Sequence, residues 1–244
     1  MRTTLFSFCV LLLLSCTAFP PGVALFANDV HIEHYKSGDR EIVFIEGKHL
    51  GTPAYFKDVQ FTVDSLKKRG YVLLFEEIRA MAKTPDDSIQ SDRYLRKIRK
   101  LTGVYVTDYT DKEENKNLGL PRSAKDFIPQ SYENTGVDPK TDIWADYRLD
   151  DLIKTYEMER GEILLTDCDW KTAKNKKYKC SKPNIKEAAY LIETLRNKRI
   201  VSVFDSLKAK KVAILYGAAH SKGFFKLLKE KDSTWVRQKR KNYY

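Results

Sequence analysis

The chain has 244 residues, 42% of them hydrophobic, which is enough to bury a full core in one compact domain with insertions. Lys and Arg total 44 against 33 Asp and Glu, a net charge of +11, which suits a chain near anionic lipid, polyanionic sugar or nucleic acid. The basic residues are spread along the chain and no nucleic-acid-binding motif accompanies them, so a solvated basic surface is expected and a nucleic-acid partner is not.

Arg2 precedes an apolar stretch over residues 5–14, of signal-peptide length and short of the ~20 residues that span a bilayer. It ends in 13-LLSC-16, which resembles a bacterial lipobox, in which Cys16 becomes the lipidated first residue. The alternative is ordinary cleavage further on, after Ala27, with Cys16 discarded. Either way the chain is expected to be exported, and the lipobox places it in the bacterial cell envelope on a lipid anchor. Residues 1–16 are then a signal peptide, 17–29 a linker and 30–244 one α/β domain. Cys168 and Cys180, twelve apart in a Lys-rich segment, are expected to form a local disulfide or to stand as two free thiols.

Two strand-like runs flank 37-SGD-39, which reads as a hairpin turn. Thr52 and Pro53 are a helix cap and first helical residue, and Phe56, Val59, Val63 and Leu66 mark one helical face that closes at Gly70. The apolar run 71-YVLLFEE-77 then predicts a parallel strand covered on both sides, completing a βαβ unit. An insertion of about residues 80–160 holds a helix near 92–101, a polar stretch over 102–146 that reads as irregular or partly helical, and a helix over 149–159. A short strand is expected at 162–165, a long helix over 184–208, a strand over 212–216 and a short helix through Phe224, Phe225 and Leu228. The fold class is α/β, with a mostly parallel sheet.

Aligned on their histidines, 42-IVFIEGKH-49 and 213-AILYGAAH-220 are each an apolar strand, a small-residue turn and a histidine, followed by a helix. Two such units in one parallel sheet put His49 and His220 beyond the carboxyl ends of strands, where open α/β sheets keep their ligand sites. Glu76 and Glu77 close the intervening strand at the same edge. Two imidazoles and a carboxylate are the makings of a divalent-metal site, with Glu76 as ligand or as base towards water and Glu46 as a further ligand. Zinc, manganese and cobalt are not distinguished by this set. Arg196, in the apolar stripe of the long helix, needs an anion: a carboxylate in a purely structural pair, or, in a functional role, Glu76 or a substrate carboxylate or oxyanion. Arg199 is expected to face solvent. His31 and His34, three apart on a strand, point to opposite faces and are read as structural.

This order of strand–His49, strand–Glu76, helix–Arg196-Asn197 and strand–Gly217-Ala218-Ala219-His220 resembles the TraB/GumN family. That family includes the Tiki metalloproteases and is similar to the erythromycin-esterase and ChaN-like proteins. The likeness covers roughly residues 30–235 and departs at the first motif, where Glu46 stands three before His49 in place of glycine. It implies a metal-dependent hydrolase of peptide or small-molecule substrates. His49 and His220 would hold the ion, Glu76 would orient or deprotonate water, and Arg196 would stabilise developing charge. The ChaN-like relatives imply a second possibility, a haem-binding lipoprotein with a tyrosine such as Tyr216 or a histidine as axial ligand. The altered first motif suggests a third, a family member that acts through a partner without chemistry. No HExxH helix and no Gly-x-Ser-x-Gly turn is present, so two common hydrolase designs find no motif here.

Overall fold

The computed structural model describes residues 29–79, 84–105 and 126–239. Residues 1–28, with the expected signal peptide and Cys16, and residues 106–125 of the expected insertion lie outside the described residues.

Strands β1 (Ile32–Ser37) and β2 (Arg40–Gly47) form the expected hairpin, with Gly38 at φ +56°, a left-handed conformation that glycine adopts without strain. After the two-residue β3 (Leu50–Gly51), α1 (Pro53–Lys68) begins where Thr52 accepts the Tyr55 N–H at 3.1 Å. Strand β4 (Val72–Phe75) follows, then α2 (Pro85–Thr102), β5 (Ile128–Pro129), α3 (Tyr132–Thr135), β6 (Ile143–Trp144), α4 (Leu149–Arg160) and α5 (Asp167–Lys171). The long helical segment comprises α6 (Ile185–Ala189), a π-helical turn (Tyr190–Thr194) and α7 (Leu195–Ser206). Strand β7 (Lys211–Gly217), a 3₁₀ turn (Ala218–His220), α8 (Ser221–Lys231) and β8 (Val236–Arg237) complete the order.

The main sheet has six strands in the order β6-β4-β7-β2-β1-β8. β6, β4, β7 and β2 run parallel, while β1 and β8 add an antiparallel edge. The fold is therefore α/β on a mostly parallel sheet, as the apolar runs IVFI, VLLF and VAIL imply. Such runs suit strands covered on both faces. Val43, Ile45, Leu73, Phe75, Ala213 and Leu215 pack against Phe56, Val59, Val63 and Leu66 of α1. The alternate residues Ile42, Phe44, Leu74, Val212 and Ile214 pack against Ile200 and Phe204 of α7 and Phe224 and Leu228 of α8. A third core joins α2, α4 and the π-helical segment through Ile98, Leu152, Ile153 and Leu191.

Four sequence expectations change. The helix predicted near 92–101 is longer, Pro85–Thr102, because Thr84 and Asp87 form a reciprocal capping box. The stretch 162–165 is not a strand: Ile163 N–H donates to the Glu157 carboxylate at 2.9 Å and the Leu164 carbonyl accepts from Lys100 at 2.7 Å. Side chains thus take the bonds a strand partner would make. The polar stretch over 102–146 supplies a strand of the main sheet, since β6 pairs with β4 through Leu74–Ile143 and Phe75–Trp144. The long helix is interrupted by the π-helical turn, so Ile185 is 54% exposed and the buried stripe runs through Ala188, Leu191 and Leu195. Cys168 and Cys180 form a disulfide. Among the described residues, no helix is long and apolar enough to cross a membrane.

Candidate functional site

At the carboxyl edge of the parallel strands the chain turns outward from β2, β4, β6 and β7. Glu76 follows β4 and its carboxylate reaches across to β7. Oε2 accepts the Gly217 N–H at 2.5 Å and Oε1 accepts from Arg196 Nη2 at 2.5 Å. A Cβ at Gly217 would lie 3.2 Å from Glu76 Oε2, so the bare glycine lets the carboxylate sit against the backbone. Arg196 is buried, and its guanidinium also forks onto Asp146, with Nε to Oδ1 at 3.0 Å and Nη2 to Oδ2 at 2.6 Å. Asp146, fully buried after β6, further accepts the N–H groups of Glu77 at 3.1 Å and Tyr147 at 2.9 Å. One guanidinium thus ties the ends of two neighbouring strands to α7. Paired and bonded in this way, a buried charge is tolerated that would otherwise be costly.

His220 ends the 3₁₀ turn and is buried. Its Nδ1 is 2.9 Å from Asn197 Oδ1, and its Nε2 is 3.4 Å from Arg196 Nη1. Arg196 can only donate, so Nε2 is the acceptor and Nδ1 carries the proton. Burial, reinforced by Arg196, lowers the imidazole pKa to about 4, so His220 is neutral at pH 7. For Glu76, burial pulls upward, but Arg196, His49, His220 and the Gly217 N–H more than offset it and bring the carboxyl to about 2. Arg196 is driven well above its ordinary value by Asp146 and Glu76, despite its burial. The cluster therefore carries two anions, one cation and a neutral imidazole.

His49 stands in the short link between β2 and β3, half-exposed, with Nε2 3.9 Å from Glu76 Oε1. The structure thus brings His49, Glu76, Arg196, Asn197, Gly217 and His220 to one edge, as the strand-end reading expected. Of the readings of Arg196, structural pairing with a carboxylate is met by Asp146, and the same guanidinium also holds Glu76. Arg199 does not simply face solvent, since its Nε donates to the Asp146 carbonyl at 3.3 Å.

Glu46 belongs elsewhere. Its carboxylate accepts from Ser221 Oγ at 2.6 Å and lies 2.8 Å from His31 Nδ1, while His31 Nε2 is 3.6 Å from Glu33. His31, Glu33 and Glu46 could hold a metal ion: one ligand atom from each lies within 4.8 Å of the others. No other described group of His, Cys, Asp and Glu gathers as closely, so His49, Glu76 and His220 form an open set in this conformation. The open set has the donor types of a divalent-metal site, with His220 Nε2 and Glu76 Oε1 both engaged by Arg196 in this conformation. His220 is neutral with its far nitrogen fixed by Asn197, Glu76 is ionised, and His49 is accessible.

The residue that the sequence does not announce is Asp146. Only the pairing need of Arg196 pointed to a buried carboxylate, without saying which. Tyr216 is buried, with the Arg196 guanidinium 5.3 Å from its ring and the His220 ring 4.8 Å away. Burial pushes its phenol well above the ordinary value, and its hydroxyl is buried. No family model, no curated protein and no solved structure matches this chain.

Proposed function

We propose that this chain is a metal-dependent hydrolase of the peptidase type, exported to the bacterial cell envelope and held there by a lipid on Cys16. The observation that supports the reading most is Glu76. It is kept ionised between Arg196 and the Gly217 N–H, with the half-exposed His49 in front of it. His49, Glu76 and His220 would hold a zinc, manganese or cobalt ion. When bound, such an ion supplies Lewis acidity to water and to a scissile carbonyl.

The chain's own residues set up the rest. Asn197 fixes the His220 tautomer so that Nε2 carries a lone pair. Arg196, engaged on Asp146 and Glu76, is a positioning residue that holds the carboxylate in place. Glu76, 3.9 Å from His49, could accept a proton or orient a polar substrate group. Substrates are peptides or small amides and esters that reach the edge from the side of His49.

The test is the metal content of the purified protein, measured for the wild type, His49→Ala and His220→Ala after exposure to zinc, manganese and cobalt. The expected result is one ion fewer in each variant, together with loss of amide hydrolysis. Equal metal content in all three proteins would overturn the reading.

A further inference from the structure

We propose that His31, Glu33 and Glu46 form a separate divalent-cation site, of the zinc or manganese class, that clamps the open end of the β1–β2 hairpin. This stands apart from the reading of Glu76 and uses none of the same side chains.

The register of the hairpin creates the site. Ile32 pairs with Ile45, and the Glu46 N–H donates to the His31 carbonyl at 2.9 Å, so His31 and Glu46 lie directly opposite. Side chains two apart on a strand share a face, which puts Glu33 beside His31 and diagonal to Glu46. Both carboxylates are largely withdrawn from water, at 9% and 17% side-chain exposure, while the imidazole is 46% exposed. An ion would therefore enter past His31 and meet two carboxylates behind it.

Two like charges at one strand end, largely removed from water, call for a cation. Arg237 of β8 bonds to Glu33, and Ser221 donates to Glu46. An imidazole with two carboxylates matches zinc and manganese in donor type, and three protein ligands leave room for water. Bonds of about 2.0–2.2 Å place tetrahedral donors roughly 3.4 Å apart. The present atoms lie within 4.8 Å of one another, with the closest pair at 2.8 Å, which brackets that spacing.

The site also reaches the catalytic edge. Glu46 holds Ser221, the first residue of α8 and the neighbour of His220. A cation on Glu46 would fix the strand end and, through Ser221, the start of the helix that carries His220.

The test is calorimetric titration of the full chain with zinc and then manganese, using the wild type, His31→Ala, His31→Gln, Glu33→Gln, His49→Ala and His220→Ala. Circular dichroism of each ion-free variant confirms folding. The expected result is a binding event kept in His49→Ala and His220→Ala and lost in both His31 variants. Glu33→Gln should weaken it by at least about tenfold, since even an outer-shell partner is worth that much. His31→Gln keeps a polar partner for Glu46 and so separates loss of an ion from loss of a hydrogen bond. Binding unchanged in the His31 variants, or losses confined to His49→Ala and His220→Ala, would overturn the proposal.

Discussion

Gly47 and Gly217 sit opposite each other on neighbouring parallel strands, so the two histidines leave the sheet out of step. His220 follows its glycine by three residues and His49 follows its glycine by two. The structural register therefore aligns the glycines, where the sequence alignment had matched the histidines. After Gly217 the chain tightens into a 3₁₀ turn and enters α8 at once, which buries His220. After Gly47 it runs through a link into β3, which leaves His49 half-exposed. The same strand–glycine–histidine plan thus yields one fixed imidazole and one accessible one.

The fork between Arg196 and Asp146 should dominate stability at this edge. Asp146→Ala leaves a buried guanidinium with Glu76 alone and strips an acceptor from two backbone N–H groups. The expected loss is about 3–5 kcal/mol in urea unfolding. A loss under about 1 kcal/mol would show that water replaces the carboxylate.

Acid should weaken the fold in two stages. The folded His220 imidazole lies near 4, below its ordinary 6.5, so the native state binds fewer protons than the unfolded chain between those values. Its contribution is complete above about 6.5 and is lost as pH falls towards 4, roughly 3 kcal/mol at 1.36 kcal/mol per pKa unit. Glu76 adds a second loss, starting below its ordinary 4.5 and extending to about 2. Urea midpoints measured against pH should show the upper stage vanish in His220→Gln while the lower one persists.

Gly223 gives a sharper probe of His220. A Cβ there would meet Asn197 Nδ2 at 2.3 Å, so Gly223→Ala must push the amide off its place. The expected cost is about 1–3 kcal/mol. The Nδ1 proton resonance of His220 should move or broaden, whereas a variant that leaves it unchanged would mean that Asn197 shifts without releasing the ring.

The Cys168–Cys180 bridge should matter modestly. Closing a loop of this size is worth about 3 kcal/mol in the chain-entropy account. Arg99 already holds the loop, donating to the carbonyls of Thr172 at 3.2 Å and Ala173 at 3.1 Å and bonding to that of Lys176. The double replacement by serine should cost about 2 kcal/mol in thermal unfolding. Adding Arg99→Met should cost more than the two changes do separately.

The hairpin, the first βαβ unit and the capped start of α1 were legible because each has a local cause: a turn glycine, a continuous apolar run, a threonine before a proline. The meeting of Glu76 with Arg196 was legible from the cost of burying either alone. Strand β6 was not, since two residues cannot display an alternation, and Asp146 was hidden with it. The π-helical turn was equally silent; it adds a residue to the helical repeat, and the buried face resumes one position later. His31 was set aside because it cannot share a face with His34. Its partners on that face are Glu33 and Glu46 instead.

Strand β7 lies between β2 and β4, yet it comes from residues 211–217, near the end of the chain. A ribosome that has released only the first two hundred residues has therefore made two strands with a vacant slot between them, each lacking its central neighbour. Pairings across such long sequence separations form late and slowly. The polar edge therefore comes together only once β7 has been made and slots between β2 and β4.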